Sequence, residues 1–203
     1  MTAQKQPYLT EAEYLAFERA SPTKHEYYRG HVYAMTGASE RHNLITANVI
    51  AALHGQLRQK PCRVYPSDLR VKAQKTGLHT YPDILVVCGK PEFTDDTIDT
   101  LLNPVVIIEV LSPSTEAYDR GMKFQNYRTI ETLRDYLLIA QDESYIEHYT
   151  WQQPGQWVLR EFISSLDLLN LSSIACTLAL ADVYEHVTFS PDERDVLREP
   201  QTE

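Results

Sequence analysis

The stretch Pro104-Val105-Val106-Ile107-Ile108-Glu109-Val110-Leu111 decides how this chain is read. It is almost wholly aliphatic and rich in β-branched residues, as in a central strand covered on both faces. Glu109 is the exception. Strand alternation puts it on one face with Val105, Ile107 and Leu111. A carboxylate there is costly unless it reaches solvent, is neutralised or finds a partner. Upstream, Tyr81-Pro82-Asp83 opens the apolar run Ile84-Leu85-Val86-Val87. Proline is tolerated at a strand start, and Asp83 there shares a face with Leu85 and Val87. Two carboxylates at facing ends of neighbouring core strands are hard oxygen donors on a rigid support, which suits Mg2+ or Mn2+.

Outward from these strands, helices and strands interleave. Thr10 and Glu13 have capping-box spacing, predicting a helix to about Ala20 that Pro22 stops. His25 to Met35 reads as a hairpin turning at Arg29-Gly30. Ser39 caps a helix in which Ile45, Val49, Ala52, Leu53 and Leu57 recur at helical spacing. Strands are expected over 63–73, 80–88 and 104–111, then a helix over 116–133 and a short strand over 135–140. A second hairpin should turn at Gln152-Gln153-Pro154-Gly155, and a last helix should cover 178–187. One buried strand amid alternating helices and strands gives a single α/β domain with a mixed central sheet flanked by helices. The domain is expected to span residues 1–189, followed by a charged tail at 190–203.

The chain has 203 residues, 43% hydrophobic and 23% charged, with seven glycines, which excludes disordered and low-complexity classes. No apolar run is long enough to span a membrane. Met1 to Thr10 is polar, so the reading is a soluble, cytoplasmic protein. Three widely spaced cysteines, Cys62, Cys88 and Cys176, without a CxxC pair, read as small core residues in a reducing compartment. Net charge is −9, but residues 1–130 carry +1 and residues 131–203 carry −10. Arg58 to Lys75 holds six basic residues and one acid, so Arg70, Lys72 and Lys75 are candidates for a phosphate-facing patch, with an ordinary solvated surface as the alternative.

The order Pro82-Asp83, then Glu109 on a hydrophobic strand, resembles the PD-(D/E)XK nuclease superfamily. More closely, the chain resembles the Uma-two family of restriction-endonuclease-like proteins. The residues carrying this are Gly37 to Asn43, Ser67 to Val71, Tyr81-Pro82-Asp83, Ile108 to Ser114, and Asp119 through Lys123 to Tyr127, in order between Thr10 and Ala140. The resemblance implies a restriction-endonuclease-like fold and metal-dependent hydrolysis of DNA by a homodimer. Asp83, Glu109 and the Val110 carbonyl would hold Mg2+ or Mn2+.

The superfamily's strand lysine, two positions after the Glu, is here Leu111. Either the site is silent, leaving a protein that binds DNA or a partner, or the lysine comes from elsewhere. The resemblance points to Lys123 as the substitute. The alternative is a surface Asp119–Lys123 pair at i,i+4 spacing. Lys72, sharing a strand face with Asp68 and Arg70, is the second candidate. Glu40 is a further acid for the metal region, favoured in any case by the helix dipole. His42 lies on the apolar stripe of its helix and reads first as a satisfied core histidine. Asp68 is either a third metal-side carboxylate or the partner of a basic residue.

Overall fold

The computed structural model describes residues 8–189, so the tail expected at 190–203 lies outside the described residues. Helix α1 (Glu11–Ala20) begins with the reciprocal Thr10–Glu13 capping that the spacing predicts. Strands β1 (His25–Tyr28) and β2 (His31–Ala34) form the expected hairpin, with Arg29 and Gly30 both at positive φ in its turn. Ser39 caps α2 (Glu40–Leu57), whose buried stripe is Ile45, Val49, Leu53 and Leu57.

The strands expected over 63–73 and 80–88 are each divided. They resolve into β3 (Cys62–Pro66), β4 (Arg70–Ala73), β5 (Leu78–Thr80) and β6 (Ile84–Cys88). A turn at Ser67-Asp68 separates the first pair. Pro82, which cannot donate to a ladder, separates the second. Each break moves the chain from one sheet to another.

After β7 (Thr100–Leu101) and β8 (Val106–Leu111) comes a helical segment shorter than the sequence predicts. It comprises α3 (Glu116–Tyr118), a π-turn over Asp119–Lys123, and α4 (Phe124–Tyr127). Tight turns at Thr129 and Ile130 end it before Leu133. Strands β9 (Asp135–Ala140), β10 (Ile146–Gln153) and β11 (Gln156–Phe162) follow as expected. Where a helix is expected over 178–187, the chain instead makes a hairpin of β12 (Leu168–Leu171) and β13 (Cys176–Ala179) and a single turn, α5 (Leu180–Val183). Pairing of Leu169 with Leu178 and Leu171 with Cys176 overrides local helix preference there.

The large sheet has the order β11-β10-β9-β8-β6-β3, with β8 and β9 parallel and the other neighbours antiparallel. A smaller sheet runs β2-β1-β5-β4-β7. One face of the large sheet buries Val106, Ile108 and Val110 against α2 and the β12–β13 hairpin. The other face buries Leu85, Val87, Ile107, Leu111 and Leu138 against Val71, Ala73 and Leu78 of the small sheet and against Phe124 and Tyr127. Helix α1 covers the far side of the small sheet through Tyr14, which stacks on Tyr27. Strand β8 is therefore buried on both faces along its whole length, as its composition predicts.

The cysteines do not behave as expected. Antiparallel register puts Cys62 opposite Cys88, and the two form a disulfide; Cys176 alone is a free buried thiol. Among the described residues, no helix is long and apolar enough to cross a membrane.

Candidate active site

The register of β6 on β8 pairs Ile84 with Ile108, which brings Asp83 beside Glu109 on the face between the two sheets. The acids hold one another through backbone. The Val110 N–H donates to Asp83 Oδ2 at 2.8 Å, and the Asp83 N–H donates to Glu109 Oε2 at 3.3 Å. His42 is not merely a core residue. From the first turn of α2, anchored by its own N–H to Ser39 Oγ, it places Nε2 3.1 Å from Asp83 Oδ2.

Lys123 meets the pair from the π-turn, in register with the sheet end because Ser112 to Thr115 reverses the chain directly after β8. Its Nζ lies 3.0 Å from Glu109 Oε1, 3.2 Å from Asp119 Oδ1 and 3.4 Å from Glu26 Oε1. Lys123 and Asp119 are buried, which corrects the surface-pair alternative. The wide turn is what directs Lys123 inward, and such π-bulges recur at functional sites. Leu111, at the usual strand-lysine position, packs in the inter-sheet core.

The sequence assigns no role to two further residues here. The Tyr127 hydroxyl donates to Glu109 Oε1 at 2.9 Å. Glu26, on β1, is buried and accepts the Thr80 hydroxyl. In His25-Glu26-Tyr27-Tyr28 a glutamate looks like the solvated side of a hairpin; its one sequence signal is the tyrosines around it.

Burial sets the electrostatics. Desolvation pushes the Glu109 carboxyl up to about 8, with Asp119 and Asp83 adding to it, against the opposing pull of Lys123. Burial alone would lower the Lys123 ammonium, but Glu109, Glu26 and Asp119 together hold it well above its ordinary value. The directions agree: Lys123 answers several carboxylates, whereas Glu109 shares one ammonium with acidic neighbours. Burial likewise keeps the Tyr127 phenol protonated.

The remaining candidates fall elsewhere. Asp68 is exposed and pairs with Lys24 at 3.0 Å, so it is the partner of a basic residue. Glu40 sits on the exposed first turn of α2. Arg70 is 2% exposed and donates to Thr100 Oγ1 at 2.8 Å and to the Tyr81 hydroxyl at 2.9 Å. Lys72 is bound by Glu11. Lys75 is exposed and pairs with Glu131 at 2.9 Å. The phosphate-facing patch therefore does not assemble as the sequence suggests. Arg70 is buried because β4 turns it toward Tyr14 and Tyr81 beneath α1. Glu11, on α1, takes Lys72 away from the carboxylate pair, whereas Lys123 lies against it.

Among the described residues, no group of three or more His, Cys, Asp or Glu side chains is arranged to hold a metal ion. Mg2+ does not need one, since it usually keeps several waters and takes one or two carboxylates plus substrate phosphate. Asp83 and Glu109 supply those two hard oxygen donors. Asp83 Oδ2 is engaged by His42 and Val110, while Oδ1 takes no hydrogen bond among the described residues. The donor set fits a divalent cation of this kind.

Comparison with known proteins gives a family and a shared fold. A family model described as "Uma2: Putative restriction endonuclease" matches residues 11–181. An uncharacterized protein of Synechocystis sp. is 36% identical over 183 residues, covering 90% of this chain and 95% of its own length. A second Synechocystis protein, also uncharacterized, is 37% identical over 155 residues, covering 76% and 88%. A crystal structure described as a "putative nuclease belonging to DUF820" from Anabaena variabilis has a TM-score of 0.72 at 20% identity, covering 87% of this chain and 97% of that one. That likeness establishes a shared fold.

Proposed function

The chain belongs to the Uma2 family of restriction-endonuclease-like proteins, and from that premise we propose that it is a metal-dependent endonuclease hydrolysing phosphodiester bonds in DNA. The observation that carries this reading is the convergence of Lys123 on Glu109, 3.0 Å away, where the strand itself offers only Leu111. Lys123 brings to the carboxylate pair, from another element, the positive charge that the strand position held by Leu111 does not supply.

Asp83 and Glu109 would hold Mg2+ or Mn2+, with the Val110 carbonyl as the backbone donor that the resemblance suggests. A cation held there would supply a nucleophilic water at neutral pH and charge stabilisation on the phosphate. The chain's own groups do the rest. Lys123, kept charged by its carboxylates, acts as a hydrogen-bond donor and positive charge rather than as a base. It orients the attacking water or steadies charge on the non-bridging oxygens. His42 fixes the rotamer of Asp83 from α2, and Tyr127 fixes that of Glu109 from α4. Packing between the sheets excludes bulk water from Glu109, which strengthens these interactions.

The finer expectations accompany this proposal. They are DNA as substrate, a homodimer as the acting unit, a nuclease domain over 1–189 and a cytoplasmic setting. Strand β11, the outer strand of the large sheet, exposes Val158 and Leu159 and is consistent with a contact between copies.

The test is supercoiled-plasmid cleavage in Mg2+ and in Mn2+, with wild type against Glu109→Ala. Nicked and linear products that vanish in chelator and in the variant are expected. Wild-type protein that binds DNA without cutting it would favour the silent, binding-module reading. Cleavage undiminished in Glu109→Ala would exclude this site.

A further inference from the structure

Glu26 and Asp119 are the acids around Lys123 to which the proposed mechanism gives no separate role. The ammonium has three protons, and three carboxylates face it: Glu109 at 3.0 Å, Asp119 at 3.2 Å and Glu26 at 3.4 Å. They are not equivalent. Asp119 lies four residues away on the same π-turn, so it moves with Lys123 and cannot fix it to anything else. Glu109 is the carboxylate that a divalent cation claims, and an ammonium and a cation compete for it. Glu26 stands on β1 in the small sheet, outside the proposed ligand set. Among the three it is the tie between the lysine and the rest of the domain that a cation leaves intact.

Glu26 is built for such a task. Strand β1 pairs residue by residue with β2, from His25 opposite Ala34 to Tyr28 opposite His31, and joins β5 through Tyr27 opposite His79. The Thr80 hydroxyl donates to Glu26 Oε1, and the side chain is 9% exposed. The ring of Tyr118 lies 5.7 Å from the Lys123 ammonium and closes the remaining side. A hydrogen-bond acceptor for Thr80 requires no charge, because a glutamine would serve it equally well. What a glutamine would lack is the negative charge that pairs with the ammonium.

Resting on the nuclease reading, we infer that Glu26 is the positioning residue for Lys123. It keeps the ammonium beside the carboxylate pair when Glu109 serves a cation. It does not touch the substrate and is not a ligand of the cation.

Three measurements on the full chain, wild type against Glu26→Gln, test this. In steady-state plasmid cleavage kcat should fall by about 100-fold, the cost of a catalytic group displaced by about 1 Å, with KM unchanged. Mn2+ affinity, measured calorimetrically, should be unchanged, because the ligands remain. Acylation of Lys123 by an amine-selective reagent, read by peptide mass spectrometry, needs no activity. In chelator it should be equally low in both proteins, since Glu109 and Asp119 still engage the ammonium. In Mg2+ it should rise several-fold in Glu26→Gln and stay low in wild type. Glu26→Asp, which keeps the charge, should restore part of kcat and of the protection, and it carries the test if Glu26→Gln fails to fold. Wild-type kcat in Glu26→Gln, or equal protection of Lys123 in Mg2+, overturns the inference. Loss of Mn2+ affinity together with kcat overturns it too, by making Glu26 a ligand. If wild type neither binds Mn2+ nor cuts, the nuclease reading falls and takes this inference with it. If wild type does both and Glu26→Gln matches it, the inference alone falls.

Discussion

Replacing Glu109 by Gln removes the charge that burial opposes most, and the structure sets the size of the effect. With its carboxyl pushed up to about 8 from 4.5, Glu109 keeps a proton in the folded protein across a range where the unfolded chain has released it. The native state then binds more protons than the unfolded state, so stability falls as pH rises, by about 1.4 kcal/mol per unit. From pH 4.5 to 8 the loss is on the order of 5 kcal/mol in protein stripped of metal. Above that range both states are ionised and the loss no longer grows. Lys123 stays charged throughout and does not enter the slope. The Glu109→Gln variant keeps the shape of the side chain and the acceptor for Tyr127 but has no proton to lose. Urea denaturation of both proteins in chelator, at several pH values across this range, gives two stability curves. Their difference isolates residue 109, and wild type should decline steeply relative to the variant. Parallel curves, whatever their offset, would refute the argument that desolvation governs this carboxyl.

The remaining predictions concern the lysine, the small sheet and the cysteines. Lys123→Met leaves Glu109, Glu26 and Asp119 without their shared ammonium, and breaking a buried pair in this way costs about 3–5 kcal/mol. Denaturant melts should show this loss alongside lost cleavage; unchanged stability would mean the lysine is not held as described. His79 is fully buried, and desolvation lowers its ring to about 4 from 6.5. Its folded pKa lies below its unfolded one, so acidification through that window should remove about 3 kcal/mol. His79→Phe should abolish that component, which runs opposite in sign to the one from Glu109, and a variant with wild-type acid sensitivity would exclude it. Denatured, unreduced protein should titrate one thiol rather than three. Reduction of Cys62–Cys88, 26 residues apart, should lower stability by about 3 kcal/mol, and three thiols before reduction would rule the crosslink out.

The features legible from local sequence lie within single elements. The Thr10 and Ser39 caps, the Arg29-Gly30 and Pro154-Gly155 turns, and the apolar stripe of α2 depend on residues a few positions apart, whose chemistry acts before any long-range contact forms. Asp83 and Glu109 were legible for a related reason. A carboxylate stands out in a strand that is otherwise aliphatic, and alternation assigns its face without knowledge of the partner strand. Lys123 was legible only through the resemblance, since its spacing from Asp119 suits a surface pair equally well.

Which strands are neighbours, and what lies between them, depends on long-range packing. Two stretches that read as single strands, 63–73 and 80–88, each cross from one sheet to the other, so Arg70 and Lys72 end beneath α1 instead of on a basic face. Cys62 meets Cys88 because antiparallel register cancels the 26 residues between them. Glu26 reaches Lys123 from the opposite sheet, nearly a hundred positions away in the chain. Pairing of this kind is chosen by the burial of whole faces. A four-residue strand such as His25-Glu26-Tyr27-Tyr28 carries the same local pattern whether its glutamate faces water or an ammonium, and only the layer packed against it settles which.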